Sequence, residues 1–302
     1  MTPRRIVLVD ASVYVFRAWH SLPNEFFAAD GTPVNAVHGF LRFLLELLEK
    51  ARPQYIAVAF DESLETSFRN RIYPAYKANR EPAPAELKAQ FQHCRRLCEA
   101  LGLRTLVHHE FEADDLIGSA LERLRPQQFA GLIVSADKDL SQLLTDADRQ
   151  WDFARNLSWN AGDLLPRYGV RAEQFADFLG LTGDAVDNIP GVPGIGGKTA
   201  AALLRHFGSL DQLLKRVDEV PFLRLRGAAA HAARLRAHRE QALLSRELAT
   251  IARHAPVPGD AQAYARQPAD RPALDGLFDS LRIGPMTRRR VLNLADAEPT
   301  TA

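Results

Sequence analysis

The stretch Arg5-Ile-Val-Leu-Val-Asp10-Ala-Ser12 decides the fold. Four aliphatic residues in a row, bounded by charges, read as a strand buried on both faces, as in a parallel sheet. Its last apolar residue is followed at once by a carboxylate. Working outward, Tyr55 to Phe60 predicts a second strand ending at Asp61, and Arg104 to Val107 a third. Gly131 to Ser135 predicts another, followed by Asp137 and Asp139. Between these runs, Val37 to Glu49 and Ala113 to Leu124 carry apolar residues at helical spacing. Strands alternating with helices predict an α/β fold with a mainly parallel sheet and helices on both faces.

The composition removes several classes. The chain has 302 residues, 46% hydrophobic and 25% charged, with 38 basic against 37 acidic residues. That profile is globular, and the net charge of +1 shows no basic arm or acidic tail. The run Ile6 to Val9 is too short for a signal peptide, and no stretch approaches the ~18 apolar residues of a membrane helix. Cys94 and Cys98 are the only cysteines and build neither a disulfide framework nor a four-ligand zinc site. Buried reduced thiols and a cytoplasmic, monomeric protein are expected.

Residues 61–103 separate two strands by more than a crossover needs, and long insertions in compact domains usually serve a function. From 66 to 104 there are eight basic residues against three acids, a local surplus of +5. A helix is expected there from about Pro84 to Leu101. Beyond about residue 162 the pattern turns helical, with one Arg- and Ala-rich helix expected from His231 to Leu248 and a loop from Pro256 to Pro272. Residues 216–254 carry eight Arg against four acids, which suits either duplex contact or a solvated helix.

The chemistry lies in where the acids fall. Asp10, Asp61, Asp137 and Asp139 follow strands whose carboxyl ends share one sheet edge, where ligands of open α/β sheets bind. Glu112, Asp114 and Asp115 open a helix, and three acids in four residues exceed what capping requires. Asp184 and Asp187 stand three apart, as on one helical turn. Crowded carboxylates repel unless cations lie between them, and an oxygen-only set selects Mg²⁺ or Mn²⁺. A haloacid-dehalogenase reading fails because Ser12 stands where a second Asp is required. A dinucleotide reading fails because no Gly-rich turn follows the first strand.

Gly194-Ile-Gly-Gly-Lys-Thr199 superficially suggests a phosphate-binding P-loop, but Val192 occupies the position of its first Gly and no apolar strand precedes it. A helix-hairpin-helix turn fits better. Gly194, Ile195, Gly196, Gly197, Lys198 and Thr199 would present backbone N–H groups to phosphates without reading bases. A plain tight turn between helices is the competing reading.

The ordered set Leu8-Val-Asp-Ala-Ser12, Phe60-Asp61, Phe68-Arg69 to Tyr76-Lys77 and Arg80, Glu112-Ala-Asp-Asp115, Ser135-Ala-Asp-Lys-Asp139 and Gly183 to Lys198 resembles the 5′ nuclease family. That family includes flap endonucleases, bacteriophage 5′ nucleases and the N-terminal 5′→3′ exonuclease domain of bacterial DNA polymerase I. The resemblance implies a PIN-like nuclease core over 1–170 with a helical arch at about 64–103. It also implies a helical DNA-binding region over 171–302 with its helix-hairpin-helix turn at about 183–205. A first metal site would draw on Asp10, Asp61, Glu112, Asp114, Asp115 and Asp137, and a second on Asp137, Asp139, Asp184 and Asp187. Lys77 and Arg80 match the family's basic pair at the scissile phosphate, and Tyr76 stands beside them as a DNA contact. Phe16 matches an aromatic that stacks on a terminal base in some relatives, and a core role suits it equally. A K⁺ ion is implied at the helix-hairpin-helix turn.

The implied activity is Mg²⁺-dependent 5′→3′ exonuclease and structure-selective 5′-flap endonuclease cleavage of DNA by two-metal chemistry, in replication or repair. The alternatives are a non-catalytic protein that binds branched DNA and a metal-dependent ribonuclease. At this length a separate DNA polymerase is the expected partner. Two Mg²⁺ would add +4, so the near-zero charge does not argue against a nucleic-acid partner.

Overall fold

The computed structural model describes residues 3–62 and 67–296. Alternation along its first strand, β1 (Arg4–Asp10), sorts side chains into two cores. Val7 and Val9 join one, while Ile6 and Leu8 join the other. The same parity continues in β2 (Tyr55–Asp61), where Ile56 and Val58 lie with the first core and Ala57 and Ala59 with the second. Period-two side-chain direction is what makes a wholly apolar strand serve two layers.

The first layer holds α1 (Ala11–Ser21), α2 (Asn35–Ala51) and α4 (Ala85–Ala100), with the short α3 (Phe68–Ile72) preceding α4. Leu41, Leu44, Leu45 and Leu48 of α2 are at most 1% exposed. Each contributes about 1.5–3 kcal/mol by burial. After β3 (Arg104–His108), α5 (Ala113–Leu124) covers the second face through Leu116, Ile117 and Leu121. β4 (Phe129–Val134), β5 (Arg149–Asp152) and β6 (Leu157–Trp159) complete a sheet of order β3-β2-β1-β4-β5-β6. All pairings are parallel except β5 with β6.

A third core is built by α7 (Phe175–Thr182), α8 (Gly197–Phe207), α9 (Leu210–Lys215), α10 (Ala228–Ala237) and α11 (Arg239–Ala249), after the short α6 (Leu164–Tyr168). The single helix expected over His231 to Leu248 is two helices, broken at His238 (φ −116°, ψ 29°). Each half follows a different partner: α10 packs on the turn at 217–222 and α11 on α7. The expected helical region of 171–302 is also divided. The chain returns to the α/β core at Ile251, bridges Tyr55 through Ala265, and places α12 (Arg271–Ser280) and α13 (Pro285–Asp296) against the first layer. Leu274, Phe278 and Val291 are fully buried there. The segment expected as a loop from Pro256 to Pro272 includes a 3-10 turn at Ala261–Tyr264. The expected start of the arch at 64 and the last residues of the chain lie outside the described residues. Among the described residues, no helix is long and apolar enough to cross a membrane.

Candidate active site

β1 lies between β2 and β4, so the sheet's direction of growth reverses at β1. Outside the carboxyl ends of the strands at such a reversal is where an open α/β sheet leaves a crevice. Asp10 ends β1 and is 6% exposed, with Ser135 Oγ donating to its Oδ2 at 2.8 Å. Burial, reinforced by the Asp61 and Asp137 charges, pushes its pKa up to about 7. Asp61 ends β2, where its Oδ1 accepts the Ala113 N–H at 2.8 Å and its own N–H donates to Ser12 Oγ at 3.1 Å. The end of β2 is thereby tied to α1 and to the start of α5.

The acids that open α5 divide by role. Glu112 is buried and pairs with Lys77 Nζ, while Tyr76 Oη donates to its Oε2 at 3.3 Å. Burial alone would raise its pKa, but the Lys77 and Arg69 charges outweigh burial and hold it down to about 2. Asp114 is half-buried, and burial together with the Asp115 charge raises its pKa well above the carboxylate range. Asp115 is fully buried, and both oxygens are engaged by Arg69 at 2.7 Å. It also accepts the N–H groups of Glu112 at 3.0 Å and Ala252 at 2.7 Å. With four donors around it, Asp115 ties α5 to Arg69 and to the backbone at Ala252.

On the other side of the crevice, Asp137 Oδ1 accepts the Asp139 N–H at 2.9 Å and holds the turn that follows β4. Asp139 is pushed up to about 7 by burial and the Asp137 charge, even with Lys138 Nζ at 3.2 Å. Asp184 pairs with Lys138. Burial works against its charge, but Lys138 outweighs it and lowers the pKa. Asp187 pairs with Arg80 and lies 3.8 Å from Lys77 Nζ. Asp184 and Asp187 do not share a helical turn as expected. Asp184 closes a tight loop by paired hydrogen bonds with Ile189, at 2.9 and 2.8 Å, and Asp187 lies within that loop.

That loop is clasped by the segment before α4. Lys77 N–H donates to the Asp187 carbonyl at 2.9 Å, Asn79 Nδ2 to Ala185 at 2.9 Å, and Asn188 Nδ2 to Ala75 at 2.6 Å. Lys77 holds a left-handed φ of 54°, rare for a side chain of its size. Its ammonium lies among the acids, between Glu112 and Asp187. Glu112 and Asp187 overcome the cost of burial and keep it protonated. Tyr76 is 3% exposed and directs its hydroxyl at Glu112 and Asp187. It supports the acids from behind.

Among the described residues Glu112 Oε1 is buried without a hydrogen-bond partner, with Arg69 Nη1 3.9 Å away. Among the described residues, no three or more His, Cys, Asp or Glu side chains are placed so that they could hold a metal ion as they stand. Lys77, Arg80 and Lys138 neutralise the crevice acids instead. Lys138 is a residue the sequence reading did not single out. Its signal was available, since Lys is used only six times in the chain.

Phe16 is half-buried and meets Phe91 of α4 edge-on, ring centres 5.3 Å apart. At the glycine-rich turn, Gly194 has φ +77° and its carbonyl accepts from Arg234 at 3.3 Å. Ile195 is turned inward, 3% exposed, so its side chain anchors the turn. Gly196 caps α8, and Gly197, Lys198 and Thr199 form its first turn, where N–H groups have no partner within the helix. Lys198 is exposed beside them.

Comparison with known proteins places the fold in a family. Residues 5–169 match the 5′-3′ exonuclease N-terminal resolvase-like domain, and residues 170–272 match the 5′-3′ exonuclease C-terminal SAM fold. The chain belongs to the 5′-3′ exonuclease family. A 5′-3′ exonuclease of Buchnera aphidicola is 35% identical over 253 residues, covering 83% of this chain and 88% of that protein. DNA polymerase I of Rhizobium leguminosarum is 38% identical over 94% of this chain but only 28% of its own length. The chain thus spans about a third or less of the polymerases it matches. Among solved structures, T5 5′-exonuclease with divalent metal ions (zinc) bound has a TM-score of 0.68 at 22% identity, covering 97% of this chain and 100% of that one. The catalytic core of Rad2 in complex with DNA substrate has a TM-score of 0.65 at 14% identity, covering 97% and 92%. The family's two-part fold, a mostly parallel sheet followed by a helical unit, is the one seen here.

Proposed function

We propose that this member of the 5′-3′ exonuclease family hydrolyses DNA phosphodiesters at 5′ ends and 5′ flaps in a Mg²⁺-dependent reaction, within replication or repair. The observation that carries the reading is the crevice itself. Eight carboxylates without His or Cys line it, one buried oxygen of Glu112 lacks a hydrogen-bond partner among the described residues, and burial holds Asp10 and Asp139 near 7. An all-oxygen donor set in which Asp10 and Asp139 resist ionisation fits hard divalent cations. Asp10, Asp61, Glu112, Asp114 and Asp137 would hold one ion, and Asp137, Asp139, Asp184 and Asp187 a second. Bound there, two such ions supply Lewis-acid stabilisation of an in-line displacement at phosphorus.

The chain's own residues do the rest. Glu112 and Asp187 cannot serve both a divalent cation and a basic side chain, so Lys77 and Arg80 would turn from them to the scissile phosphate. There they neutralise charge that develops in the transition state. Tyr76 keeps Glu112 and Asp187 oriented, and Ser135 keeps Asp10 oriented. The first turn of α8 with Lys198 would hold the duplex by its phosphates, which supplies grip without sequence preference.

The test is a labelled 5′-flap DNA incubated with Mg²⁺ or EDTA, alongside an RNA flap. Cleavage leaving 3′-hydroxyl and 5′-phosphate ends is expected only with Mg²⁺, and it should be lost in Asp10→Asn while binding persists. Binding of branched DNA without cleavage would overturn the reading, as would cleavage confined to the RNA flap.

A further inference from the structure

The loop that carries two of the acids and the turn that opens α8 meet at one residue. The acid loop runs from Gly183 to Gly191 and holds Asp184 and Asp187. The turn runs from Gly191 to Gly197 and leads into the first turn of α8. Gly183 and Gly191 both hold a left-handed φ, 71° and 63°. They lie so close that a Cβ on Gly191 would stand 2.2 Å from the Gly183 nitrogen. Two residues without side chains permit that approach, and it folds the end of the acid loop back onto its start. Val192 N–H then donates to the Leu181 carbonyl at 2.8 Å, which ties the turn to the end of α7.

Two side chains of α11 hold this junction. Ser245 is fully buried, and its Oγ accepts the Gly191 N–H at 3.0 Å. Gln241, one turn earlier, donates from Nε2 to the Gly191 carbonyl at 2.7 Å. Both backbone polar groups of Gly191 are thus fixed from one helix face. That helix is itself closely seated, since a Cβ on Gly180 of α7 would stand 2.8 Å from Arg246 Cβ. Gly191 is two residues from Ile189, whose paired bonds to Asp184 close the acid loop. A displacement of Gly191 therefore moves the acid loop and the start of the α8 turn together. We propose that Ser245 and Gln241 are positioning residues, which couple duplex binding at α8 to divalent-cation binding by Asp184 and Asp187. The inference rests on the nuclease reading and deepens it, because each ligand then tightens the other's binding by the same factor.

The test uses the full chain, Mn²⁺ and a duplex closed by hairpin loops at both ends, which offers no 5′ end to cut. Mn²⁺ binding is measured by calorimetry with and without saturating duplex, and duplex binding by fluorescence anisotropy with and without Mn²⁺. In the native chain each ligand should tighten the other at least about fivefold, the lower end of ordinary coupling. In Gln241→Met and Ser245→Ala that factor should fall below about twofold, while each ligand alone binds within about twofold of native. Glu247→Ala, exposed on α11, should keep the native factor. A merely structural role would weaken both affinities and leave the factor unchanged. Independent binding of the two ligands by the native chain overturns the proposal, and so does native coupling in Gln241→Met. Should Ser245→Ala fail to fold, Gln241→Met decides alone. Coupled binding without cleavage of a 5′ flap in Mg²⁺ would instead overturn the nuclease reading and uphold the coupling, and a native chain that binds neither ligand overturns both.

Discussion

Arg69 and Asp115 form a bidentate ion pair, both contacts at 2.7 Å, with neither side chain more than 1% exposed. Arg69 lies in α3, ahead of Lys77 and Arg80, and Asp115 lies in the first turn of α5. The remaining donors of Arg69 reach the carbonyls of Leu248 at 2.8 Å and Thr250 at 3.0 Å, where α11 ends. One buried pair thus joins α3, the start of α5 and the end of α11. Breaking one partner leaves the other charge buried and unpaired, whereas the intact pair is worth much less than that loss.

The first prediction concerns this clasp. Asp115→Asn and Arg69→Met should each destabilise the fold by about 3–5 kcal/mol, as removal of one member of a buried pair does. Asp114→Asn, which removes a carboxyl whose pKa is raised by burial and the Asp115 charge, should change stability by less than about 1 kcal/mol. Urea unfolding of the three variants decides it. Asp115→Asn unfolding at the native midpoint would show that Asp115 is free for another role.

The second prediction follows from the crowding at Asp10. A carboxyl whose pKa is pushed up to about 7 costs stability once it is forced to ionise. Asp10→Asn should therefore raise the melting temperature in EDTA. Mg²⁺ at about 100 times its dissociation constant should stabilise the native chain by about 2.7 kcal/mol. The same concentration should do much less for Asp10→Asn. A variant that is less stable in EDTA, or that keeps the full Mg²⁺ response, contradicts the assignment.

The sheet was legible because β1, β2 and β4 are apolar on both faces, a pattern that needs no tertiary information to interpret. Ala113–Leu124 was legible to the residue for a similar reason, with acids at its start and an apolar stripe behind them. Other features depend on partners remote in sequence. Asp115 looks like its neighbours until Arg69, 46 residues away, takes both its oxygens. Tyr76 looks like an exposed arch residue until the third core closes over it. The helix α1 escaped notice because it follows β1 with no turn residue between them. The break at His238 lies in an Ala- and Arg-rich run whose local preference is helical throughout.

The third prediction is a pH dependence away from the site. Asp148 is 1% exposed and accepts from the Gly131 N–H at 2.6 Å, Arg125 at 2.8 Å, and the Thr145 N–H and hydroxyl at 2.9 and 2.7 Å. Burial opposes its charge, but these donors outweigh burial and lower its pKa from 3.8. A carboxyl with a depressed folded pKa adds stability above its unfolded value, and that stability is lost as pH falls through the folded value. Asp148→Asn should be less stable than the native chain by about 1–3 kcal/mol at pH 7. The difference should shrink as the pH drops below about 4. A gap that stays constant between pH 7 and pH 3 would assign the loss to packing instead of charge.

The last prediction separates phosphate grip from chemistry. Lys198 is exposed at the first turn of α8, where unpaired N–H groups and the positive end of the helix dipole face outward. It lies in the helical unit, apart from the carboxylates at the strand ends. Lys198→Ala should weaken binding of nicked or flapped duplexes alike, whatever their sequence. It should also reduce the slope of log K against log salt by about 1, the signature of one lost phosphate contact. Cleavage at saturating DNA should be unchanged, so the defect appears in KM and not in kcat. Gly196→Ala provides the geometric control, because a Cβ at Gly196 meets nothing within 4 Å and the N–H groups stay in place. An unchanged salt slope in Lys198→Ala, with native affinity, would move the duplex grip away from this turn and onto the Arg-rich helices α10 and α11.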